Sequence, residues 1–140
     1  MSLERTLFII KPDAVERRLN GKILAHVEAL GFRIVEARFA RLTREETQTF
    51  YAEHHGKPFF NDLVAYMTSG PVLLTCLERE GAILGLREAV GATDPAQAEP
   101  NTIRKLYGTS KQMNSVHASD SAASAEREVK LLFGVAALAR

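Results

Sequence analysis

A single cysteine in 140 residues excludes an intrachain disulfide framework. That residue, Cys76, stands in the apolar run Val72-Leu73-Leu74-Thr75-Cys76-Leu77 and reads as a small buried thiol in a reducing compartment, so a cytoplasmic protein is expected. An excess of either charge is lacking too: 18 Lys and Arg against 17 Asp and Glu leave a net charge of +1. With no bulk field, neither nucleic acid nor a membrane surface is expected as a partner, and any anion site must be local. No stretch approaches the roughly 20 apolar residues of a membrane span, and Met1-Ser2-Leu3-Glu4-Arg5 does not open a signal peptide. The glycine-rich phosphate loops G-x-x-x-x-G-K-[ST] and G-x-G-x-x-G are missing, and one cysteine rules out a cysteine-based zinc site.

What is present is ordinary globular material, 46% hydrophobic and 25% charged, in a length that suits one domain over residues 1–140 with a core that needs no staples. Thr6-Leu7-Phe8-Ile9-Ile10 is a β-prone run ended by Lys11-Pro12-Asp13, so a first strand leads into a turn at which Pro12 can open a helix. Ile23, Val27 and Leu30 recur at helical spacing between Gly21 and Gly31. Residues 32–42 become β-branched and aromatic, with Val35, Ala37 and Phe39 on one face and Glu36 and Arg38 on the other. Thr43 and Glu46 fit a capping box for a helix to about Glu53, and a second helix follows at 60–67. Ser69-Gly70-Pro71 breaks the chain before a strand at 72–77 and a helix at 82–90.

Periodicity vanishes from 91 to 113, a segment too long for an ordinary connection and hence a functional loop or a structured excursion. Ser115-Val116-His117-Ala118 makes a last short strand, and Ala125, Val129, Leu132 and Phe133 trace a last helical face. This order fits an α+β fold, a four-stranded mainly antiparallel sheet with helices on one face, at least as well as a doubly wound sheet.

The densest polar cluster is Asn114-Ser115-Val116-His117-Ala118-Ser119-Asp120-Ser121, followed by Glu126, Arg127 and Glu128. A histidine on a short strand, with a carboxylate eleven positions on in a helix, can be an oriented nucleophile. The alternative is that Ser119, Asp120 and Ser121 cap the last helix and His117 is a satisfied polar residue at a strand end. Lys11, Arg87 and Arg104 fall at element ends or in the irregular segment. Singly each is a solvated charge; together with a histidine they can neutralise a polyphosphate. Tyr51, His54, Phe59 and Phe60 form a polar and aromatic cluster whose plainer reading is core packing with surface tips.

Over residues 4–133 these blocks resemble the nucleoside diphosphate kinases. The matching stretches are Glu4-Arg5-Thr6 with Ile10-Lys11-Pro12-Asp13-Ala14-Val15, Phe50-Tyr51-Ala52-Glu53-His54, Lys57-Pro58-Phe59-Phe60, Met67-Thr68-Ser69-Gly70-Pro71-Val72 and Gly91-Ala92-Thr93. The active-site signature N-x-x-H-[GA]-S-D-S followed by A-x-x-E is met by Asn114 to Ser121 and Ala125 to Glu128. The resemblance implies a ferredoxin-like core and transfer of the γ-phosphate of a nucleoside triphosphate, typically ATP, to a nucleoside diphosphate. It implies a ping-pong route through a phosphohistidine at His117, with Glu128 orienting the ring and Ser119 supporting it. Lys11, Tyr51, His54, Arg87, Thr93, Arg104 and Asn114 would hold the phosphates and ribose, and Phe59 would stack on the base, giving broad base specificity.

Mg²⁺ would arrive on the nucleotide phosphates with no ligand from the protein, and the chain would form a homo-oligomer, a tetramer or hexamer built from dimers. The irregular segment would be the loop that covers the nucleotide. The sequence also departs from the family pattern. Ala118 replaces a usual glycine, tolerable unless the backbone there needs a positive φ, and Asn101 stands where glycine is frequent. Lys105-Leu106 replace a small-residue–Asp pair, and Lys111 takes a position where a small apolar residue often lines the base pocket. A pocket retained for binding without turnover is the rival reading.

Overall fold

The computed structural model describes residues 2–139. Strands β1 (Leu3–Ile10), β2 (Arg33–Ala40), β3 (Val72–Glu80) and β4 (Val116–Ala118) form one sheet in the order β2-β3-β1-β4, with every pairing antiparallel. β1 and β3 occupy the centre, paired from Leu3 with Glu80 to Ile10 with Leu73. Their position explains the unbroken apolar runs: side chains alternate between faces, and both faces are covered.

On one face Leu7, Ile9, Leu74 and Cys76 pack under α3 (Arg44–Phe50), α4 (Phe60–Met67), α7 (Ala122–Phe133) and α8 (Ala136–Ala139). On the other, Phe8, Ile10, Leu73 and Leu77 pack under α1 (Pro12–Glu16), α2 (Asn20–Ala29), α5 (Ala82–Val90) and α6 (Ile103–Tyr107). The expected antiparallel α+β sheet is present, but helices cover both faces rather than one. No helix among the described residues is long and apolar enough to cross a membrane.

The turn expected after β1 is helical, with Pro12 in its first turn where a missing N–H costs nothing. The capping box is formed: Glu46 N donates to Thr43 Oγ1 at 3.0 Å and Thr43 N to Glu46 Oε1 at 2.9 Å. α3 ends at Phe50, short of Glu53, and the chain continues through a 3-10 turn at Ala52–His54. The face predicted for β2 is split. Ile34 pairs with Leu77 and Glu36 with Cys76, so Val35 is an extra residue that shifts the alternation. Val35 and Ala40 pack inward, Phe39 is 58% exposed, and Arg38 takes the inner side, donating to Leu132 O at 3.0 Å over the Phe133 ring.

The 91–113 segment is a structured excursion. It holds a 3-10 turn at Pro95–Gln97, then α6 capped by Thr102, with Asn101 at φ 68°, a conformation in which Asn substitutes well for Gly. Gly91 opens the segment at φ +89°, and a Cβ there would lie 2.6 Å from Thr102 Oγ1. Its carbonyl accepts from Arg104 Nη1 at 3.1 Å. Gly91→Ala is therefore expected to cost roughly 1–3 kcal/mol in thermal or denaturant unfolding, with Arg104 displaced as well.

Candidate active site

β4 pairs with β1 so that His117 lies opposite Ile9, and Lys11 follows one residue beyond the end of β1. The turn into β4 is tight: Val116 N donates to Asn114 O at 3.0 Å, and Ser115 adopts φ 76° with its carbonyl held by Lys11 N at 2.8 Å. A non-glycine residue in this region stores strain, and such strain gathers at functional sites. Ala118, within β4, has no positive φ, so the glycine it replaces is not needed for backbone reasons.

His117 Nε2 lies 2.8 Å from Glu128 Oε1 on α7. A carboxylate only accepts, so Nε2 carries the proton and Nδ1 keeps its lone pair. Ser119 Oγ donates to the same carboxylate oxygen at 2.8 Å and accepts from Leu7 N at 3.3 Å, while Arg127 Nη2 stands 3.5 Å from the second oxygen. Ser119 thus serves Glu128, and Ser121 is the residue that caps α7, its Oγ accepting from Ser124 N at 3.1 Å. The capping alternative is right for Ser121 and wrong for Ser119. Phe50 lies edge-on to the imidazole at a 5.0 Å centroid distance, and Tyr51 stands perpendicular to it at 6.2 Å. Burial pushes the His117 pKa below its usual 6.5; Glu128 opposes this, and Lys11 and Arg104 add to it.

The cations converge. Lys11 is 6% exposed, and its ammonium donates to Asn114 Oδ1 at 2.8 Å. Burial first, and the Arg104 guanidinium second, bring its pKa down to about 7. Arg104, also buried, donates to Gly91 O at 3.1 Å and Val116 O at 2.9 Å, while its Nε finds no partner among the described residues. Burial and then the Arg87 charge lower its pKa to about 10, so it stays cationic at neutral pH. The Tyr51 hydroxyl is likewise buried without a partner, its pKa raised first by burial and then by Glu128. Asn114 ties the segments together: Nδ2 donates to Thr93 O at 3.0 Å and to Lys111 O at 2.9 Å.

These groups line one cavity of about 550 Å³. Lys11, Tyr51, His54, Phe59, Arg87, Thr93, Arg104, Asn114, His117 and Glu128 all face it, and Ser119 lies fully buried behind Glu128. In the polar-aromatic cluster Phe60 joins the core, Tyr51 belongs to both core and cavity wall, and His54 and Phe59 border the cavity. Phe50, Leu63, Gln112 and Asp120 line it too, and Lys57 stands with its ammonium 5.8 Å from the Phe59 ring centroid. The sequence reading gives these no site role of their own, although Asp120 falls inside the active-site signature and Phe50 and Lys57 fall in matched blocks. Phe50 and Leu63 look like core positions of amphipathic helices, and only the proximity of Asp120 to His117 in the chain was a signal. Lys105 and Leu106 do not face the cavity. A pocket whose floor pairs a neutral imidazole with buried cations is chemically suited to receive a phosphorylated anion and attack it.

The nucleoside diphosphate kinase family model matches residues 4–138. The chain is 53% identical to a nucleoside diphosphate kinase of Bradyrhizobium over 133 residues, 95% of each sequence. It is 50% identical to that of Leptothrix cholodnii over the full length of both. Among solved structures, the Aquifex aeolicus nucleoside diphosphate kinase superposes with a TM-score of 0.94 at 44% identity, covering 98% of this chain and 99% of that one. A Halobacterium salinarum nucleoside diphosphate kinase in complex with CDP gives 0.94 at 40% identity, covering 98% and 91%. With family, fold and full-length relatives in agreement, the chain belongs to the nucleoside diphosphate kinases and transfers phosphate between nucleotides.

Proposed function

We propose that the transferred phosphate rests covalently on His117 Nδ1 between two displacements. The observation that carries this reading is the 2.8 Å contact that commits Nε2 to Glu128 and leaves the Nδ1 lone pair uncommitted on a residue that lines the cationic cavity. In the first displacement the Nδ1 lone pair forms a bond to the γ-phosphorus, and the bond from phosphorus to the β-γ bridging oxygen breaks, releasing a nucleoside diphosphate. As the ring becomes cationic, the Glu128 carboxylate stabilises its Nε2–H, and Ser119 keeps that carboxylate in place. In the second, a terminal oxygen of an incoming diphosphate attacks the phosphorus, and the P–N electrons return to Nδ1. Lys11, Arg87 and Arg104 hold the phosphates while charge shifts among their oxygens, with Tyr51, His54, Thr93 and Asn114 completing the cradle.

The cavity's cationic floor calls for a polyanion, and among the described residues no cluster of three metal-ligating side chains accompanies it. Mg²⁺ would be brought by the nucleotide's own phosphates and would neutralise charge there. The base rests on Phe59, a surface that accepts any π-face, so purine and pyrimidine nucleotides both serve. The CDP complex of the Halobacterium salinarum relative supports a pyrimidine nucleotide as one of them. The domain spans residues 1–140 and works in the cytoplasm, where a buried thiol such as that of Cys76 suits reducing conditions. It assembles as a homo-oligomer, a tetramer or a hexamer built from dimers. The edge position of β2 and the 58% exposure of its Phe39 favour self-association, which light scattering measures.

Ping-pong exchange requires parallel double-reciprocal plots when ATP is varied at several GDP concentrations; intersecting lines would mean that donor and acceptor bind together and would sink the proposal. A pH dependence follows from the same groups. The nucleophile must be unprotonated, so kcat/KM rises with pH through the lowered His117 pKa, below 6.5. The phosphate-binding ammonium must be protonated, so kcat/KM falls as pH rises through about 7. A bound polyphosphate raises the Lys11 pKa, so this alkaline limb moves upward in kcat. A kcat/KM flat from pH 6.5 to 9 would contradict the role given to Lys11.

A further inference from the structure

The cavity is graded along its length. Lys11, Tyr51, Arg104 and Asn114 are buried at its floor, whereas Phe59, Lys111 and Gln112 stand exposed at its rim. A nucleotide whose phosphates meet the floor cations and His117 carries its base, the far end of the molecule, to that rim. Two neighbouring charged groups lie against His54: Lys57 Nζ contacts His54 Nδ1 at 3.0 Å, and Glu53 lies 4.0 Å from His54. Lys111 differs. Its backbone is anchored by the bond from Asn114 Nδ2 to its carbonyl, while its ammonium makes no ion pair or hydrogen bond among the described residues.

We propose that Lys111 selects the base. This rests on the reading above that Phe59 carries the base and His117 the phosphate. Stacking on Phe59 does not distinguish one ring from another, so a cation beside the base edge decides. Guanine and uracil present keto oxygens that accept from an ammonium, whereas adenine and cytosine place an amino donor at the equivalent position. A lysine donates and never accepts, so at that position it favours the keto oxygen of guanine or uracil over the amino group of adenine or cytosine. The contact is solvent-exposed, which keeps the preference modest, about threefold to tenfold.

The test uses enzyme charged with labelled phosphate from ATP and then mixed, in single turnover, with GDP, ADP, UDP or CDP. Lys111→Met keeps the length of the side chain and removes its charge, and Lys111→Glu reverses the charge. The GDP:ADP and UDP:CDP ratios of discharge rate constants are expected to fall by about threefold to tenfold in Lys111→Met and further in Lys111→Glu. The wild-type preference should also shrink as salt is raised. Unchanged ratios, or equal losses with all four acceptors, would overturn the inference while leaving the phosphohistidine mechanism standing, since the second result makes Lys111 part of the phosphate field. Failure of the wild type to take up label would overturn that mechanism, and this inference with it.

Discussion

His117→Ala is expected to abolish nucleotide exchange, lowering kcat by about 10⁴-fold or more, the scale on which a covalent nucleophile is lost. The fold should survive. His117 occupies a partly exposed position in β4 beside Ala118, so alanine fits the strand, and Glu128 keeps its bond from Ser119 and the nearby Arg127. Lys11, Arg104 and Asn114 remain where they were, so the variant should still bind nucleotide. An unchanged unfolding midpoint and retained ADP binding with no exchange is the predicted combination. Direct transfer from ATP to GDP at a comparable rate would mean that the phosphate never visits the ring.

Lys11→Met should cost about 10²- to 10³-fold in kcat, the loss that follows removal of one preorganised charge from a water-poor site. The ammonium is held by Asn114 Oδ1 at 2.8 Å in a buried environment that already weakens its grip on the proton. A buried cation of this kind is costly without an anion and strong with one. The same substitution should erase the alkaline fall of kcat/KM near pH 7, leaving only the limb set by His117. A Lys11→Met enzyme that kept that fall would reassign it to another group. Lys11→Arg is not expected to rescue, because a planar guanidinium does not fit a buried position built around one compact ammonium.

Much of this was legible beforehand because the central strands carry their own signal. Residues 7–10 are apolar and residues 72–77 are so except for Thr75, since helices cover both sheet faces, and the Thr43 to Glu46 box marks the start of α3. β2 was misread in detail because its bulge at Val35 comes from pairing with β3, which periodicity along one strand does not contain. The local order of residues offers His117 and Glu128 as a pair, yet leaves capping as the plainer account of the serines. Only the packing of α7 against β1 distinguishes Ser119, turned to Glu128, from Ser121, turned to its own helix. Lys11, Arg87 and Arg104 lie 76 and 17 positions apart in the sequence, so their convergence is a property of the tertiary fold. Their charge and placement suggest a polyphosphate site, but nothing in the sequence order shows that they meet.

The central claim is that phosphate is parked on one imidazole nitrogen. The direct test is to incubate wild type and His117→Ala with Mg²⁺ and γ-labelled ATP, isolate the protein, and examine the bound label. Label on wild type alone, stable in base, lost in acid and discharged onto added GDP, is the predicted result. GTP formed at the full rate with no label on the wild-type protein, or equal label on His117→Ala, would contradict the account.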